Sequence, residues 1–283
     1  MRTSLPNTMG VELEFSSSDG YSAIKRSLAR SLERAGYDTP VVNWEDFDEE
    51  VPLDRYWYVK EDGSCATDET NGVEITSPPL SNRHFSEFTT VCRAAQGYGE
   101  VNQSCGTHVH HRFPSLSLPA LHGVLATWRQ FEPFLYRLVA SSRRRNQFCA
   151  PLANTFSRPE DVYAMVRNAE TLSSYSRYYT LNASHWWRTG RFEVRMHHGT
   201  LNANRIWNWA HLTQHVINAG AKITSPDLLP AIDYTAPIRT QAEAFRTFLA
   251  SSTTPEELEF FDQLIMERLR LYNPTYRTEL ETV

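Results

Sequence analysis

The sequence predicts a mixed α+β fold in which helices pack against the apolar face of a sheet. Several short segments alternate apolar and polar residues, which is the period of a half-buried strand. Segments between them repeat apolar residues at helical spacing, as Ile24, Leu28 and Leu32 do within 21–35. The polar faces of the strands are unusual, because they carry glutamate, histidine and arginine.

Composition excludes several classes of protein. The 283 residues are 41% hydrophobic, enough for one sizeable core or two small ones, and a net charge of −5 gives no electrostatic case for binding nucleic acid nonspecifically. No run of about 18 apolar residues and no apolar signal segment occurs, so we expect no membrane span and a cytoplasmic protein. Four cysteines without a Cys-x-x-Cys pair predict reduced, mostly buried thiols.

The first predicted strand covers 9–15 and presents Glu12 and Glu14 on one face. Like charges two residues apart repel, but they become favourable when a cation lies between them. Taken alone, this stretch also fits an edge strand with two surface glutamates. A helix over 21–35 and a strand over 56–60 follow.

Two further strands add to the same chemistry. The strand at 72–76 has Glu74 on its polar face, and a helix over 82–95 leads to a strand over 105–113. There His108, His110 and Arg112 share one face, with the two imidazoles about 7 Å apart along the strand. This spacing aims two imidazoles at one point and favours a functional role over packing.

The later part of the chain is mainly helical. We expect helices over 117–141, with an interruption near Pro133, and over 160–168, 203–219, 238–250 and 255–271. Predicted strands lie at 177–182 and, after a loop at Trp186 and Trp187, at 191–197. Alternation in the last strand puts four residues on its polar face: Arg191, Glu193, Arg195 and His197.

The polar strand faces together indicate a site for metal ions and phosphate. Four glutamates converging on one sheet face would destabilise the fold unless a cation neutralised them. Oxygen-rich ligands with an occasional imidazole suit magnesium, or manganese, better than zinc, and guanidinium groups bind phosphate oxygens in a bidentate fork. No Walker-type loop is present. The set therefore favours phosphoryl transfer.

The motifs resemble those of the amidoligase family, carboxylate–amine ligases related to glutamine synthetase and glutamate–cysteine ligase. Five blocks occur in the family's order over roughly 9–212: Gly10-Val-Glu-Leu-Glu-Phe15, Glu61-Asp-Gly-Ser64 with Val73-Glu-Ile-Thr-Ser-Pro-Pro-Leu80, Cys105-Gly-Thr-His-Val-His110, Arg143 with Phe148-Cys149, and Phe192-Glu-Val-Arg195 with His198-Gly-Thr-Leu-Asn202 and Trp209. The strand Arg191-Phe-Glu-Val-Arg195 also resembles one in glutamine synthetase.

The resemblance implies a curved antiparallel sheet of the glutamine synthetase catalytic-domain type, with helices on its outer face. It implies a single catalytic domain over 1–283, with core motifs in 9–222 and a helical C-terminal segment in 223–283. ATP would phosphorylate a small-molecule or peptide carboxylate, and an amine would displace phosphate from the acyl phosphate. A site shared between subunits is not assumed, and oligomerisation stays open.

Site residues follow from the resemblance, position by position. The metal ligands would be Glu12, Glu14, Glu74, His108 and Glu193. His110 would contact ATP phosphates, while Arg191 and Arg195 would stabilise the transferring phosphoryl group. Arg112 is grouped with the ATP contacts by its face alone, and neither it nor His197 matches a family position. A second carboxylate beside Glu74 would come from Asp62 or Asp68.

Three other readings stay open at the level of sequence. They are a phosphotransferase of the same fold, a non-catalytic relative that binds a metal or ligand, and a metal-dependent hydrolase. We expect substrate specificity to lie in the loops at 38–55, 62–72 and 183–190. The Trp186-Trp187 pair fits either a stacking surface for substrate or a buried lid.

Overall fold

The computed structural model describes residues 7–43 and 55–274. Within them, strands and helices mix along the chain, which confirms the α+β class. The described residues form seven strands, β1 (Met9–Ser17), β2 (Val41–Asn43), β3 (Trp57–Glu61), β4 (Asn71–Thr76), β5 (Gly106–Arg112), β6 (Leu181–Asn182) and β7 (Arg191–His198). The same ranges contain eight α-helices, α1 (Tyr21–Arg34), α2 (Phe85–Gln96), α3 (Leu118–Leu135), α4 (Asp161–Met165), α5 (Trp186–Thr189), α6 (Ala203–Gly220), α7 (Ile238–Leu249) and α8 (Pro255–Tyr272).

The chain divides into two compact units. Of the described residues, the first unit contains 7–43, 55–111 and 197–210, and the second contains 112–196 and 211–274. The predicted single domain, the curvature of the sheet and its glutamine synthetase type stay predictions. The predicted loop at 38–55 lies largely outside the described residues.

In the first unit, five strands lie in the order β2-β3-β4-β1-β5, and every pairing is antiparallel except that of β2 with β3. Alternation dictates its core: Val59, Ile75 and Leu13 are directly opposite one another across three strands and are 0% exposed. Helix α2 covers this face, where Phe88 stacks on Trp57 at 6.4 Å between ring centroids. The predicted strand–helix packing is therefore confirmed here.

In the second unit, helix α3 supplies much of the core. Phe131 stacks on Phe248 of α7 at 4.8 Å, and Phe134 lies 5.1 Å from Phe245 of the same helix. The predicted interruption near Pro133 was wrong, because Pro133 lies inside α3, which continues through it to Leu135. The predicted C-terminal helices are confirmed with nearly their predicted bounds. Strand β6 pairs antiparallel with β7.

Two further local predictions were wrong. The predicted strand at 177–182 shrinks to β6, because residues 177–178 form a turn in which Tyr178 N donates to the Ser176 hydroxyl at 3.1 Å. The predicted Trp186-Trp187 loop is the short helix α5. Trp186 is buried and donates its indole N–H to Phe113 O at 3.0 Å, whereas Trp187 is exposed.

Two further expectations concern the cysteines and membrane-spanning helices. All four cysteines are free and buried, as the sequence predicts. Among the helices that the structure describes, none is both long enough and apolar enough to cross a membrane.

A glutamate is buried inside the second unit. Glu132 on α3 is 1% exposed, and its Oε1 accepts hydrogen bonds from Leu152 N at 2.9 Å and from the Thr180 hydroxyl. Burial raises the pKa of Glu132 to about 7, although these hydrogen bonds act in the opposite direction. The carboxyl group is therefore largely protonated in the folded protein below neutral pH.

Glu132→Gln should change the pH dependence of stability. The pKa of Glu132 is raised from 4.5 to about 7 in the fold, so unfolding releases its proton between these values and native stability falls as pH rises through them. Glutamine keeps the acceptor Oε1 and does not titrate. The unfolding free energy of the variant minus that of the native protein should therefore increase by about 2–3 kcal/mol between pH 5 and pH 8.

Urea denaturation at the two pH values measures this difference. Glu160→Gln, at an exposed position, is the matched control and should show no such trend. An equal difference at pH 5 and pH 8 for Glu132→Gln would mean that Glu132 ionises normally in the fold.

Candidate functional site

Strand β1 places two carboxylates at the centre of the first unit's sheet. Its apolar side chains, including Val11 and Leu13, are buried at 0% exposure, which turns Glu12 and Glu14 to the opposite face. The register sets Glu12 opposite His108 of β5 and Glu14 opposite Glu74 of β4. Five residues predicted for the site therefore share one face: Glu12, Glu14, Glu74, His108 and His110.

The two histidines contact the carboxylates directly. His108 Nδ1 lies 2.9 Å from Glu12 Oε2, and its Nε2 lies 3.4 Å from Glu14 Oε1. His110 Nε2 lies 2.8 Å from Glu12 Oε1. Glu12 thus has an imidazole on each oxygen, and His108 links the two glutamates of β1. Side chains so arranged can exchange their mutual contacts for a shared cation.

Burial and charge act in opposite directions on Glu12. Burial alone would raise its pKa, but the charge of His110 and hydrogen bonds from His108 and His110 outweigh burial and hold the pKa well below its usual value. Glu12 is therefore ionised at neutral pH. An ionised carboxylate, with a side chain 19% exposed, is available to a metal ion.

Glu74 has a different environment. Its Oε1 lies 2.9 Å from Lys60 Nζ and accepts a hydrogen bond from the Thr76 hydroxyl at 2.8 Å. Burial, followed by the negative charge of Glu12, raises the pKa of Glu74 to about 7 despite Lys60. The carboxylates of this face therefore repel one another, which is the electrostatic condition that a bound cation relieves. Sequence reasoning missed Lys60.

Glu14 belongs to a second group of potential ligands. Its Oε2 accepts a hydrogen bond from Gly106 N at 2.5 Å and one from the Cys65 thiol at 3.5 Å. Ligand atoms of Glu14, Asp62 and Cys65 all lie within 4.8 Å of one another. The hydrogen bond with Cys105, burial and the charge of Glu14 raise the pKa of Cys65, so it is a neutral thiol.

This group distinguishes between Asp62 and Asp68, the two candidates that the sequence offered for a further carboxylate ligand. Asp62 belongs to the group, and no group of metal-binding side chains among the described residues includes Asp68. Asp62 follows β3, and the backbone bond from Asp62 N to Gly72 O, at 3.0 Å, ties it to the start of β4. Pairing between strands therefore holds Asp62 near Glu14, which sequence spacing alone could not indicate.

Gly72 makes that pairing sterically feasible. A Cβ atom added there would lie 1.8 Å from Asp62 O and 2.7 Å from Ala66 N, both backbone atoms that cannot simply move aside. We expect Gly72→Ala to destabilise the protein by about 2–4 kcal/mol, because the loop that holds Asp62 must shift. Thermal denaturation measures the loss.

Gly63→Ala is the matched control for this prediction. It lies in the same loop, yet a Cβ there has nothing within 4 Å. An unchanged melting temperature for both variants would show that the loop does not pack against Gly72 as described.

In the second unit, β7 presents Glu193 and Arg195. Arg195 Nη1 donates to Glu193 Oε1, and Asn182 Nδ2 donates to Glu193 Oε2 at 2.7 Å. The Asn182 Oδ1 accepts from Ser184 N at 2.9 Å and from the Ser184 hydroxyl at 2.7 Å, which fixes the orientation of the amide. Glu193 is thus held on both oxygens. Asn182 is a site residue that sequence reasoning missed.

The Arg195 guanidinium is positioned from several sides. Its Nε donates to Phe148 O at 3.1 Å, and its Cζ lies 5.6 Å from the centroid of the Tyr178 ring. Buried Arg143 donates from Nη2 to the Arg195 backbone O at 2.8 Å. The middle block noted in the sequence, Arg143 with Phe148, therefore supports Arg195. A fixed guanidinium loses little entropy when it binds an anion.

The other predicted residues differ in their surroundings. Arg191 and Arg112 are exposed. His197 does not follow the polar face of β7 as predicted: it is 0% exposed and packs on Trp209, with ring centroids 5.3 Å apart. Its Nδ1 lies 2.6 Å from His198 O. His197 is thus a core residue of the first unit, where alternation along β7 ends.

Comparison with known proteins identifies the family. The sequence profile of the family described as "putative amidoligase enzyme" matches residues 5–217, well over half of the chain. The chain belongs to this amidoligase family, and the family description names a ligase. No curated protein matches the sequence. The matched region contains every residue of both strand faces described above.

Proposed function

We propose that this protein is an ATP- and magnesium-dependent carboxylate–amine ligase that forms an amide bond through an acyl phosphate. Family membership supports the ligase class. The observation that supports the finer assignment is the face of β1, β4 and β5, where Glu12, Glu14 and Glu74 lie beside His108 and His110. Carboxylates in contact with imidazoles are the ligands of an oxygen-preferring divalent cation.

The donor set fits magnesium, with manganese as the alternative. Buried glutamates that repel one another, as the raised pKa of Glu74 indicates, favour a cation between them. We assign the metal contacts to Glu12, Glu14, Glu74, His108 and Glu193, with Asp62 as an added candidate. Bound magnesium neutralises phosphate charge during phosphoryl transfer.

The arginines of β7 are assigned to phosphate. A guanidinium offers two parallel N–H donors, which match two phosphate oxygens. Arg195 is oriented by Phe148 O and by Glu193, so it can present its remaining N–H groups in a fixed direction. We assign Arg195 and Arg191 to the transferring phosphoryl group, and His110 and Arg112 to the ATP phosphates.

The reaction has two displacements. An oxygen of the substrate carboxylate attacks the γ-phosphorus of ATP, the bond to the β–γ bridging oxygen breaks, and ADP leaves with that electron pair. The deprotonated amine then attacks the acyl carbon, and the carbon–oxygen bond to phosphate breaks. Overall, carboxylate, ATP and an ammonium ion give amide, ADP, hydrogen phosphate and one proton. Most of the catalysis is positioning and charge neutralisation.

A coupled substrate screen tests this proposal. The protein is incubated with ATP, magnesium and pools of carboxylates and amines, and ADP release is followed by mass spectrometry of the products. We expect ADP release that requires both a carboxylate and an amine, and a new mass equal to their sum minus water. ADP release with a phosphorylated product and no amine incorporation would instead identify a phosphotransferase.

A further inference from the structure

A cavity of about 480 Å³ lies within the first unit, at the end of β1. Its wall is formed by Ser16–Ser18, Thr67, Thr70 and the segment 96–102. Ser16 shares its face of β1 with Glu12 and Glu14, because residues two apart on a strand point the same way. The cavity therefore begins about 7 Å along the strand from Glu14.

The cavity wall is tied to Glu14 by hydrogen bonds. The Ser16 hydroxyl donates to Cys65 O at 2.7 Å, and the thiol of the same cysteine donates to Glu14 Oε2 at 3.5 Å. Asn102 Nδ2 also donates to Cys65 O, at 3.0 Å. The wall is rigid where β1 meets it, because Ser16 and Glu100 exchange two backbone hydrogen bonds.

Most hydrogen-bond donors of the lining are already paired with other groups of the protein. The Ser17 hydroxyl donates to Tyr98 O at 2.5 Å, and Gln96 Nε2 donates to Leu201 O at 2.8 Å. The hydroxyl groups of Thr67 and Thr70 pair with each other at 2.6 Å. The Ser16, Ser17 and Thr67 hydroxyl oxygens also accept hydrogen bonds within the protein, from Asn102 Nδ2, Asp19 N and Thr70 N respectively. The Gln96 Oε1 and the Glu100 carboxylate remain as acceptors that the cavity offers to a ligand.

The charge of the cavity lining also favours a ligand that donates hydrogen bonds. Among the described residues, the lining includes the exposed carboxylate of Glu100 and contains no lysine or arginine. A cavity whose remaining side-chain acceptors are one carboxylate and one amide oxygen suits a ligand that is a cationic hydrogen-bond donor, and its described lining offers no cationic side chain to a substrate carboxylate. A primary ammonium group is the simplest ligand of this kind.

We infer that this cavity binds the amine substrate as an ammonium ion, on a carbon chain that bears no carboxylate nearby. The inference rests on the proposed ligase function, because it supplies that reaction with its nucleophile. Glu100 and Gln96 Oε1 hold the ammonium group, which loses one proton to solvent before its nitrogen attacks the acyl carbon, and the carboxyl-bearing face of β1 receives the acyl phosphate. Diamines and amino alcohols fit this chemistry better than free α-amino acids.

Binding to the protein alone tests the inference without any ligase assay. The probes are 1,4-diaminobutane and ethanolamine, with 4-aminobutanoate as the matched molecule that adds a carboxylate. Ligand-observed NMR and calorimetry should detect the two amines, with 4-aminobutanoate binding at least about tenfold more weakly. No binding of either amine at 10-fold molar excess over millimolar protein, about 10 mM, would overturn the inference.

Two variants locate the site. Glu100→Gln should weaken binding of 1,4-diaminobutane about tenfold, and Val101→Lys, at an exposed lining position, should abolish it by adding a cation. Glu33→Gln, an exposed acid away from the lining, is the control and should bind normally. If both Glu100→Gln and Val101→Lys bound 1,4-diaminobutane as tightly as the native protein does, the assignment would be overturned.

Failure of this inference is distinguishable from failure of the proposed function. When the substrate screen identifies a ligated pair, Glu100→Gln should raise the KM for the amine and leave the KM for ATP unchanged. Ligation with an unaltered amine KM would overturn the subsite and keep the ligase. Amine binding at the mapped cavity without any ADP release would support the cation subsite and contradict the ligase.

Discussion

Replacement of Arg195 by glutamine should lower the rate of ADP formation by about 10³-fold, because a guanidinium at the transferring phosphoryl group is worth that much in phosphoryl transfer. Glutamine can still reach Phe148 O, which accepts from Arg195 Nε at 3.1 Å, so the strand should stay folded. We expect kcat to fall far more than the KM for ATP changes. Steady-state kinetics with the substrate pair found by screening measure both.

Arg167→Gln is the control for this experiment. Arg167 is an exposed arginine of the same unit and has no assigned role in the reaction, so its variant should keep full activity. A loss of less than about tenfold for Arg195→Gln would contradict the phosphate role, since even an ordinary charged hydrogen bond contributes that much. Arg195→Lys keeps the charge but loses the bidentate fork, so its loss of activity should be smaller than that of Arg195→Gln.

Replacement of Glu12 by glutamine should weaken metal binding and ligation together by about 100-fold or more. Glu12 is ionised at neutral pH, and both of its oxygens contact imidazoles, so it is the strongest candidate for a metal ligand in the first unit. The neutral amide removes the charge and replaces one acceptor oxygen with a donor. Manganese titration followed by electron paramagnetic resonance measures affinity independently of turnover.

The control for Glu12→Gln is Glu33→Gln, which removes an equal charge from an exposed helical position of the same unit. Its manganese affinity should match that of the native protein. Native-like manganese affinity in Glu12→Gln would contradict the proposed ligand set, whatever its activity. Activity lost with affinity retained would point to a role of Glu12 in orienting His108 and His110.

Strand faces were predictable because alternation depends only on local geometry. The period of two in β1 was enough to place Glu12 and Glu14 opposite buried Val11 and Leu13. It failed at His197, where packing on Trp209 replaces the strand pattern. A tertiary contact of this kind leaves no trace in the spacing of residues along one strand.

Partners across strands were not predictable in the same way. Lys60 reaches Glu74 because β3 and β4 pair in a register that sets them opposite each other. Asp62 approaches Glu14 only because the β3–β4 connection bends against Gly72. Register is decided by pairing and by turn geometry, so a single sequence contains no direct signal for it.

Asn182 shows a third kind of limit. Its amide donates a hydrogen bond to Glu193 and accepts one from Ser184. The three residues are close in space at the β6–β7 pair. In the sequence it stands at the end of a stretch that predicted a longer strand, with nothing to distinguish it from a surface amide. Polar residues that act on another side chain are visible only once the contact is known.

The most direct test of the proposed mechanism follows oxygen atoms. The carboxylate substrate is labelled with ¹⁸O in both oxygens, and ligation is run to completion with ATP and magnesium. An acyl phosphate requires that one labelled oxygen leaves with phosphate, so we expect one ¹⁸O in each released phosphate ion for each amide formed. Amide formation with unlabelled phosphate would contradict the mechanism.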